Sequence, residues 1–509
     1  MAHHRLQRAP RMIRVCRPST HRIGITGCLI GFLGCATSEN RSWPATAAAE
    51  RLGLEVCQRE GIEEPLLCGT MEMPADPNEP GANLSVFFLV VPALDGNPDG
   101  HAWAEHPGGP GGSTVQLAAQ FAIGGSLERL RRNRDVLLMD QRGVGESGAL
   151  ICEALAEPRI LEPYFSRPRV EACKQEMEER GLDLRHYSTI AAVDDLEAIR
   201  TRLRYQQLDL GGWSYGSKFM LTYAHRYPDR VRTIAVFVPT IANYRRPVDW
   251  ARFTEAALEG MFEDCAAQAD CAAAYPELRG DFERLVESLD RQPITAEYVH
   301  PNTGARISAV IDRARLIDEL HYALIRVPRL RRLPQLIHRA AAGDMRPFVD
   351  FAVGEAAADT PPAEALYLSV VCPEEVARIT PADSIATRST FVGMHFIDEF
   401  RMVCEIWNLP PHSAYPLDWQ PLDIPALVVA GDRDPLTPVE DGETIAAGFQ
   451  SARLLPIHRM PHHSMGLAGS ECLDEILLQF LAEANAGNLD ASCVADMQAR
   501  PFIADTAGG

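Results

Sequence analysis

The sequence predicts an α/β fold: a mostly parallel sheet covered on both faces by helices, with a mainly helical segment inserted before the last strands. Three observations carry this. Apolar, strand-like runs alternate with helix-like stretches from Cys57 onward, and that alternation calls for a parallel sheet with helical crossovers. A serine stands between glycines, Gly212-Trp213-Ser214-Tyr215-Gly216, where the apolar run Leu208-Asp209-Leu210 gives way to a helix-like stretch from Lys218 to Ala224. Finally, the 220 residues separating Ser214 from Asp434 exceed what the remaining strands and helices of such a sheet need.

Taken in order, residues 1–35 read as an export segment outside the fold. Basic residues run from Arg5 to Arg22, and the apolar run that follows, 23–35, is too short to span a bilayer as a stable helix. A small residue before Cys35 resembles a bacterial lipobox, so a lipid anchor to a membrane at Cys35 is one expectation. Cys28, cleavage near Ala45-Thr46-Ala47 without lipid, and a wrongly assigned start codon are the alternatives. Residues 36–56, small, polar and rich in alanine, read as a linker. Residues 57–240 are assigned to the first part of the core. Its strands are expected at 85–91, 135–140, 208–210 and 233–238, with a helix at 190–203 carrying Ile190, Val193, Leu196, Ile199 and Leu203 at helical spacing. Residues 241–415 are assigned to a helical lid, where Leu316, Leu320, Leu324 and Ile325 suit an amphipathic helix. Residues 416–495 complete the core with strands at 426–430 and 452–457, and 496–509 read as a tail.

Composition narrows the function. The formal charge is −20, and the six arginines of the first 35 residues face no acid there, so without that segment the balance falls to −26. So acidic a surface repels nucleic acid. Of 13 cysteines, three lie in the leader. The other ten fall into sequence-near couples: Cys57 with Cys68, Cys152 with Cys173, Cys265 with Cys271, Cys372 with Cys404, Cys472 with Cys493. An even mature count fits disulfides in an exported protein, although ten cysteines admit many connectivities. No C-x-x-C occurs, so no metal is expected, and nothing calls for a cofactor.

The chemistry rests on four ordered motifs. A serine on a tight strand-to-helix turn has its hydroxyl forced outward, and glycines two residues before and after make room for the turn. Upstream, His106-Pro107-Gly108-Gly109-Pro110-Gly111-Gly112-Ser113 can aim backbone N–H groups at a developing oxyanion. Downstream, Asp434 lies in Gly431-Asp432-Arg433-Asp434-Pro435-Leu436-Thr437-Pro438 after a buried-looking strand, and Pro461-His462-His463-Ser464 follows the next strand. Serine, aspartate, histidine is the chain order of the α/β-hydrolase fold. Ser214 is the expected nucleophile, with Tyr215 and Gly109 (or Gly108) supplying oxyanion donors. Dehalogenases of this fold need a carboxylate at the elbow, which is missing here.

These motifs, with Asp140-Gln141-Arg142-Gly143-Val144-Gly145-Glu146-Ser147 and the region around Cys472, resemble the proline iminopeptidase family of α/β-hydrolase serine peptidases, especially its tripeptidyl-aminopeptidase-like branch. The resemblance covers nearly all of the mature chain. It implies an exported serine aminopeptidase acting on peptide substrates through an acyl-enzyme. It implies Asp434 over Asp432 by the Gly-x-x-Asp-x-x-Thr-Pro register, and His463 over His462 because a small residue, Ser464, follows. It also aligns Glu374, in Cys372-Pro373-Glu374-Glu375, with a glutamate that would bind the substrate's amine. Asp140 and Arg142 are expected to buttress the site. Phe237 and Val238 depart from the family's usual Asp-Gly, and the strand at 101–105 is unusually polar and small. An exported carboxylic-ester hydrolase and a non-catalytic surface binding protein are the competing readings.

Overall fold

A computed structural model of the chain describes residues 45–76, 79–156, 159–356, 363–411 and 420–504. The export segment with Cys35, residues 36–44 and residues 505–509 lie outside the described residues.

The longer strands are β1 (Glu55–Arg59), β2 (Ile62–Asp76), β3 (Glu79–Val91), β4 (His101–His106), β5 (Asp135–Met139), β6 (Gln207–Trp213), β7 (Val231–Phe237), β8 (Ile294–Val299), β9 (Arg306–Ile311), β10 (Ala426–Gly431) and β11 (Ala452–Ile457). Nine form one sheet in the order β1-β2-β3-β5-β4-β6-β7-β10-β11. The first three and the β3–β5 pair run antiparallel, while every pair from β5 to β11 is parallel. Burial on both faces follows from the apolar runs. Leu208, Leu210, Ile234, Val236 and Val428 enter one core cluster, whereas Ala235, Phe237, Leu427 and Val429 enter the cluster on the other face. That alternation is the two-residue period of a strand. The polar strand β4 is sandwiched between β5 and β6 and wholly covered apart from its first residue. Its buried glutamate is satisfied locally, because Trp103 Nε1 donates to Glu105 at 2.8 Å.

The helices that matter for the site are α1 (Ala45–Leu52), α2 (Thr189–Leu203), α3 (Tyr215–Arg226), α4 (Arg246–Ala267), α5 (Leu278–Arg291), α6 (Arg313–Leu324), α7 (Leu333–Ala341), α8 (Glu364–Glu374), α9 (His395–Trp407) and α10 (Cys472–Glu483). Ser188 starts α2 by accepting from Ala191 N, the usual work of an N-cap serine. Between β7 and β10 the chain leaves the sheet and forms a mainly helical layer with one antiparallel hairpin, β8–β9. This layer has its own core, including Leu258 and Met261 of α4, Leu285 of α5, Leu316, Leu320 and Leu324 of α6, and Leu336 of α7.

Two boundary expectations need correction. The stretch read as linker contains α1, with Ala45, Ala48 and Leu52 buried, and then β1. Alanines read as flexible spacing are small residues packed on the sheet. The tail is also built in as far as residue 504. Gln498–Ala499 pairs with Leu467–Ala468, and Phe502 is buried in the helical layer's core. The five sequence-near cysteine couples are the five disulfides, of which Cys372–Cys404 ties α8 to α9. Five bridges fit an oxidising, extracellular environment. No described helix is long and apolar enough to cross a membrane.

Candidate active site

Ser214 sits between β6 and α3 with φ +54° and ψ −123°, a backbone conformation that L-residues rarely hold. The surroundings enforce it. A Cβ on Gly212 would lie 2.6 Å from Gly216 O, and one on Gly216 would lie 2.1 Å from His106 O. Side chains at either position would push the turn open. Ser214 N donates to Phe237 O at 3.0 Å, and Ser217 Oγ to Gly212 O at 3.0 Å, closing the elbow from below. The hydroxyl-bearing residue faces a cavity of about 400 Å³, which Gly109, His462 and His463 also line.

The loop after β4 reaches this point from the other side. Gly108 has φ +117°, and a Cβ there would meet Trp213 O at 2.7 Å and Ser214 Cβ at 3.2 Å, so only glycine lets the loop approach the nucleophile. Gly108 N donates to His106 Nδ1 at 3.3 Å, whose Nε2 faces Gln141 Oε1 at 3.3 Å. Burial pushes His106 down to about 4, so it is neutral and Nδ1 accepts. With the Gly108 N–H engaged, Gly109 is the residue of the pair that lines the cavity. Tyr215 is the first residue of α3, where a backbone N–H has no partner within the helix. The loop is anchored by Asp140, which accepts from Ser113 Oγ, Val115 N and Glu146 N. Arg142 forms a two-pronged pair with Asp195.

Asp434 is 3 % exposed on the loop after β10. Its Oδ1 accepts from Leu436 N at 2.8 Å and Thr437 N at 3.1 Å. Its Oδ2 lies 2.8 Å from Thr437 Oγ1 and 2.8 Å from His462 Nδ1. The imidazole beside the aspartate is therefore that of His462, which corrects the expectation for His463. The backbone N–H of His463 donates to Ile325 O at 3.1 Å. The two rings stand 77° apart. His463 still lines the cavity, and burial, the neighbouring His462, Arg326 and Arg329 hold it down at about 3, so it is uncharged at neutral pH. Nothing in one sequence separates two consecutive histidines except the residue that follows, and in the structure it is the other ring that meets Asp434.

Thr437 escaped sequence reasoning although it lies inside the Asp434 motif. Its Oγ1 is 2.8 Å from Val238 O, 2.8 Å from Asp434 Oδ2 and 3.3 Å from His462 Nδ1. Val238, one of the two departures, holds φ +44°, strained for a β-branched residue. This conformation places the Val238 carbonyl beside the Thr437 hydroxyl, whose single proton it shares with the Asp434 carboxylate. Thr437→Val is expected to lower kcat about 10–100-fold, the loss of one hydrogen bond to a charged group, with little change in KM. A variant with wild-type kcat removes Thr437 from the account.

Glu374 also departs from expectation. It is 2 % exposed, its Oε1 accepts from Thr189 N and its Oε2 from Thr189 Oγ1, both at 2.8 Å, and Lys218 Nζ lies 3.1 Å from Oε2. It faces a buried polar network under the elbow rather than the cavity, so the amine-binding role falls away: both oxygens are already engaged. The carboxylates that do line the cavity are Glu162, Asp318, Glu319, Glu355 and Glu364.

Two family models match the chain, one described as alpha/beta hydrolase fold over residues 106–305 and one described as TAP-like protein over residues 389–493. The first spans the glycine-rich loop and the elbow, and the second spans Asp434 and both histidines. Tripeptidyl aminopeptidase of Streptomyces coelicolor is 23% identical over 504 residues, covering 90% of this chain and 89% of its own. Serine protease Hip1 of Mycobacterium tuberculosis is 24% identical over 469 residues, covering 84% and 87%. Proline iminopeptidase of Arabidopsis thaliana is 25% identical over 233 residues, covering 45% and 47%.

Proposed function

The chain is a serine hydrolase of the α/β-hydrolase fold, related to tripeptidyl aminopeptidase and to the serine protease Hip1, and from that premise we propose that it is an exported aminopeptidase cutting peptide bonds near a free N-terminus. Ser214 Oγ attacks the scissile carbonyl carbon while His462 Nε2 takes its proton. Asp434, bonded to Nδ1, fixes the tautomer and stabilises the imidazolium. The carbonyl oxygen becomes an oxyanion received by the backbone N–H groups of Gly109 and Tyr215, each donor contributing about 10²–10³ in rate. The imidazolium then protonates the leaving amine as the C–N bond breaks. A water, deprotonated by the same imidazole, releases the acyl group and restores Ser214.

The observation that carries this reading is the 2.8 Å contact between Asp434 and His462, which lines the same cavity as Ser214. Export accords with the five disulfides and with the basic, then apolar, leader. Anchoring through a lipid on Cys35 is part of the proposal, checked by the mass of the mature N-terminus.

The test compares a tripeptidyl amide, the same amide with its amine acetylated, and a short-chain ester, with Ser214→Ala as control. Fast turnover of the free-amine amide, poor turnover of the acetylated one and none by the control are expected. Ester turnover without amide turnover would mean an ester hydrolase on the same scaffold.

A further inference from the structure

With Glu374 engaged elsewhere, the cavity wall supplies a different partner for a cationic chain end. Glu364 opens α8 and is 6 % exposed, yet its Oε2 is buried without a hydrogen-bond partner. Tyr367 lies one helical turn further on, 5 % exposed, and its Oη is likewise buried and unpartnered. Residues three apart share a helix face, and both line the cavity that contains Ser214. From the facing helix, α6, Glu319 and Tyr322 line the same space.

Two unsatisfied polar atoms on one wall are costly unless something arrives to meet them. Three of the arginines that line the cavity have other duties. Arg246 pairs with Glu375, Arg329 with Glu355, and Arg159 donates to Tyr164 O while lying over the Tyr164 ring. Burial pushes both Glu364 and Glu319 up to about 7, outweighing the arginines that act on each. An ammonium group has three donors and a full charge, and so matches a carboxylate oxygen and a phenol oxygen.

We propose that Glu364 and Tyr367 form the subsite for the substrate's free α-ammonium group, with Glu319 facing it. The inference rests on the peptidase reading above and deepens it. It also gives the site a ruler. Ala363 N donates to Gly111 O and Ala365 N to Leu150 O, so the start of α8 is tied to the same loop that carries Gly109. The amine subsite and the oxyanion donor then keep a fixed separation, and that separation selects how many residues leave as one fragment.

The experiment measures kcat/KM of wild type, Glu364→Gln and Tyr367→Phe on a tripeptidyl amide and on its N-acetylated form. Fluorophosphonate labelling of Ser214 counts competent sites, so that rates are per folded molecule. Glu364→Gln is expected to lose about 100-fold on the free amine, mostly in KM, and to bring the ratio between free and acetylated substrate close to one. Tyr367→Phe is expected to lose about tenfold, the scale of one hydrogen bond. Glu364→Gln with the wild-type ratio overturns the assignment while leaving the peptidase reading intact. A labelled wild type that cleaves neither amide overturns the peptidase reading itself, and the subsite with it.

Discussion

His462→Ala is expected to lower kcat by about 10⁴–10⁶-fold, the range found when a base is removed from a serine, histidine, acid unit, while His463→Ala stays within about tenfold of wild type. The two residues are neighbours, line one cavity and carry the same side chain. They differ in what stands behind the ring. His462 has Asp434 Oδ2 at 2.8 Å, and that carboxylate is fixed by two backbone N–H groups and Thr437. A proton arriving on His462 is thus met by a buried negative charge. His463 has burial, a neighbouring imidazole and two arginines, all of which resist protonation. Steady-state kinetics on the free-amine amide, with equal labelling controls for folding, check this. An inactive His463→Ala beside an active His462→Ala would reverse the assignment.

Lys218→Met is expected to destabilise the fold by about 3–5 kcal/mol, the cost of leaving buried charge uncompensated, out of a typical total of about 5–15 kcal/mol. Lys218 is fully buried on α3, four residues after the nucleophile, with Nζ 3.1 Å from Glu374 Oε2 and 3.1 Å from Glu375 Oε1. Arg246 Nε, from the helical layer, lies 3.0 Å from Glu375 Oε2. Burial alone would pull the ammonium down, but the two carboxylates more than reverse this and hold it above its ordinary value. Glu375 is correspondingly held below its own, Arg246 and Lys218 outweighing its burial. The network joins the elbow helix to α8 and α4, so its loss loosens the floor of the site as well as the fold. Urea unfolding at neutral pH measures the effect. A midpoint equal to that of wild type would mean that the cluster adds nothing to stability.

Much of this architecture is legible in the sequence because it depends on local rules. Strands β5, β7, β10 and β11 are apolar runs between turn residues, and the elbow is a steric requirement written as Gly212 and Gly216. Sequence-near cysteines close short loops, so the disulfides follow the shortest connections. What fails depends on where neighbouring residues point. His462 and His463 are interchangeable in composition, and only the folded chain, where His463 N bonds to Ile325 O of the distant helical layer, shows which ring meets Asp434. Glu374 and Glu364 lie on one helix, and the chain alone does not reveal which is engaged by Thr189 and Lys218 and which faces the cavity. The alanines of α1 mislead for a related reason, since small residues suit a flexible tether and a packed helix equally well.

The most direct measurement is cleavage of a peptide library by the mature protein, read by mass spectrometry, beside the same library with acetylated N-termini and beside Ser214→Ala. A hydroxyl activated by His462, acting at a fixed distance from a buried amine subsite, predicts short fragments of constant length released from free amino ends, and no products in either control. Internal cuts, equal cleavage of acetylated peptides, or products from the Ser214→Ala protein would contradict it.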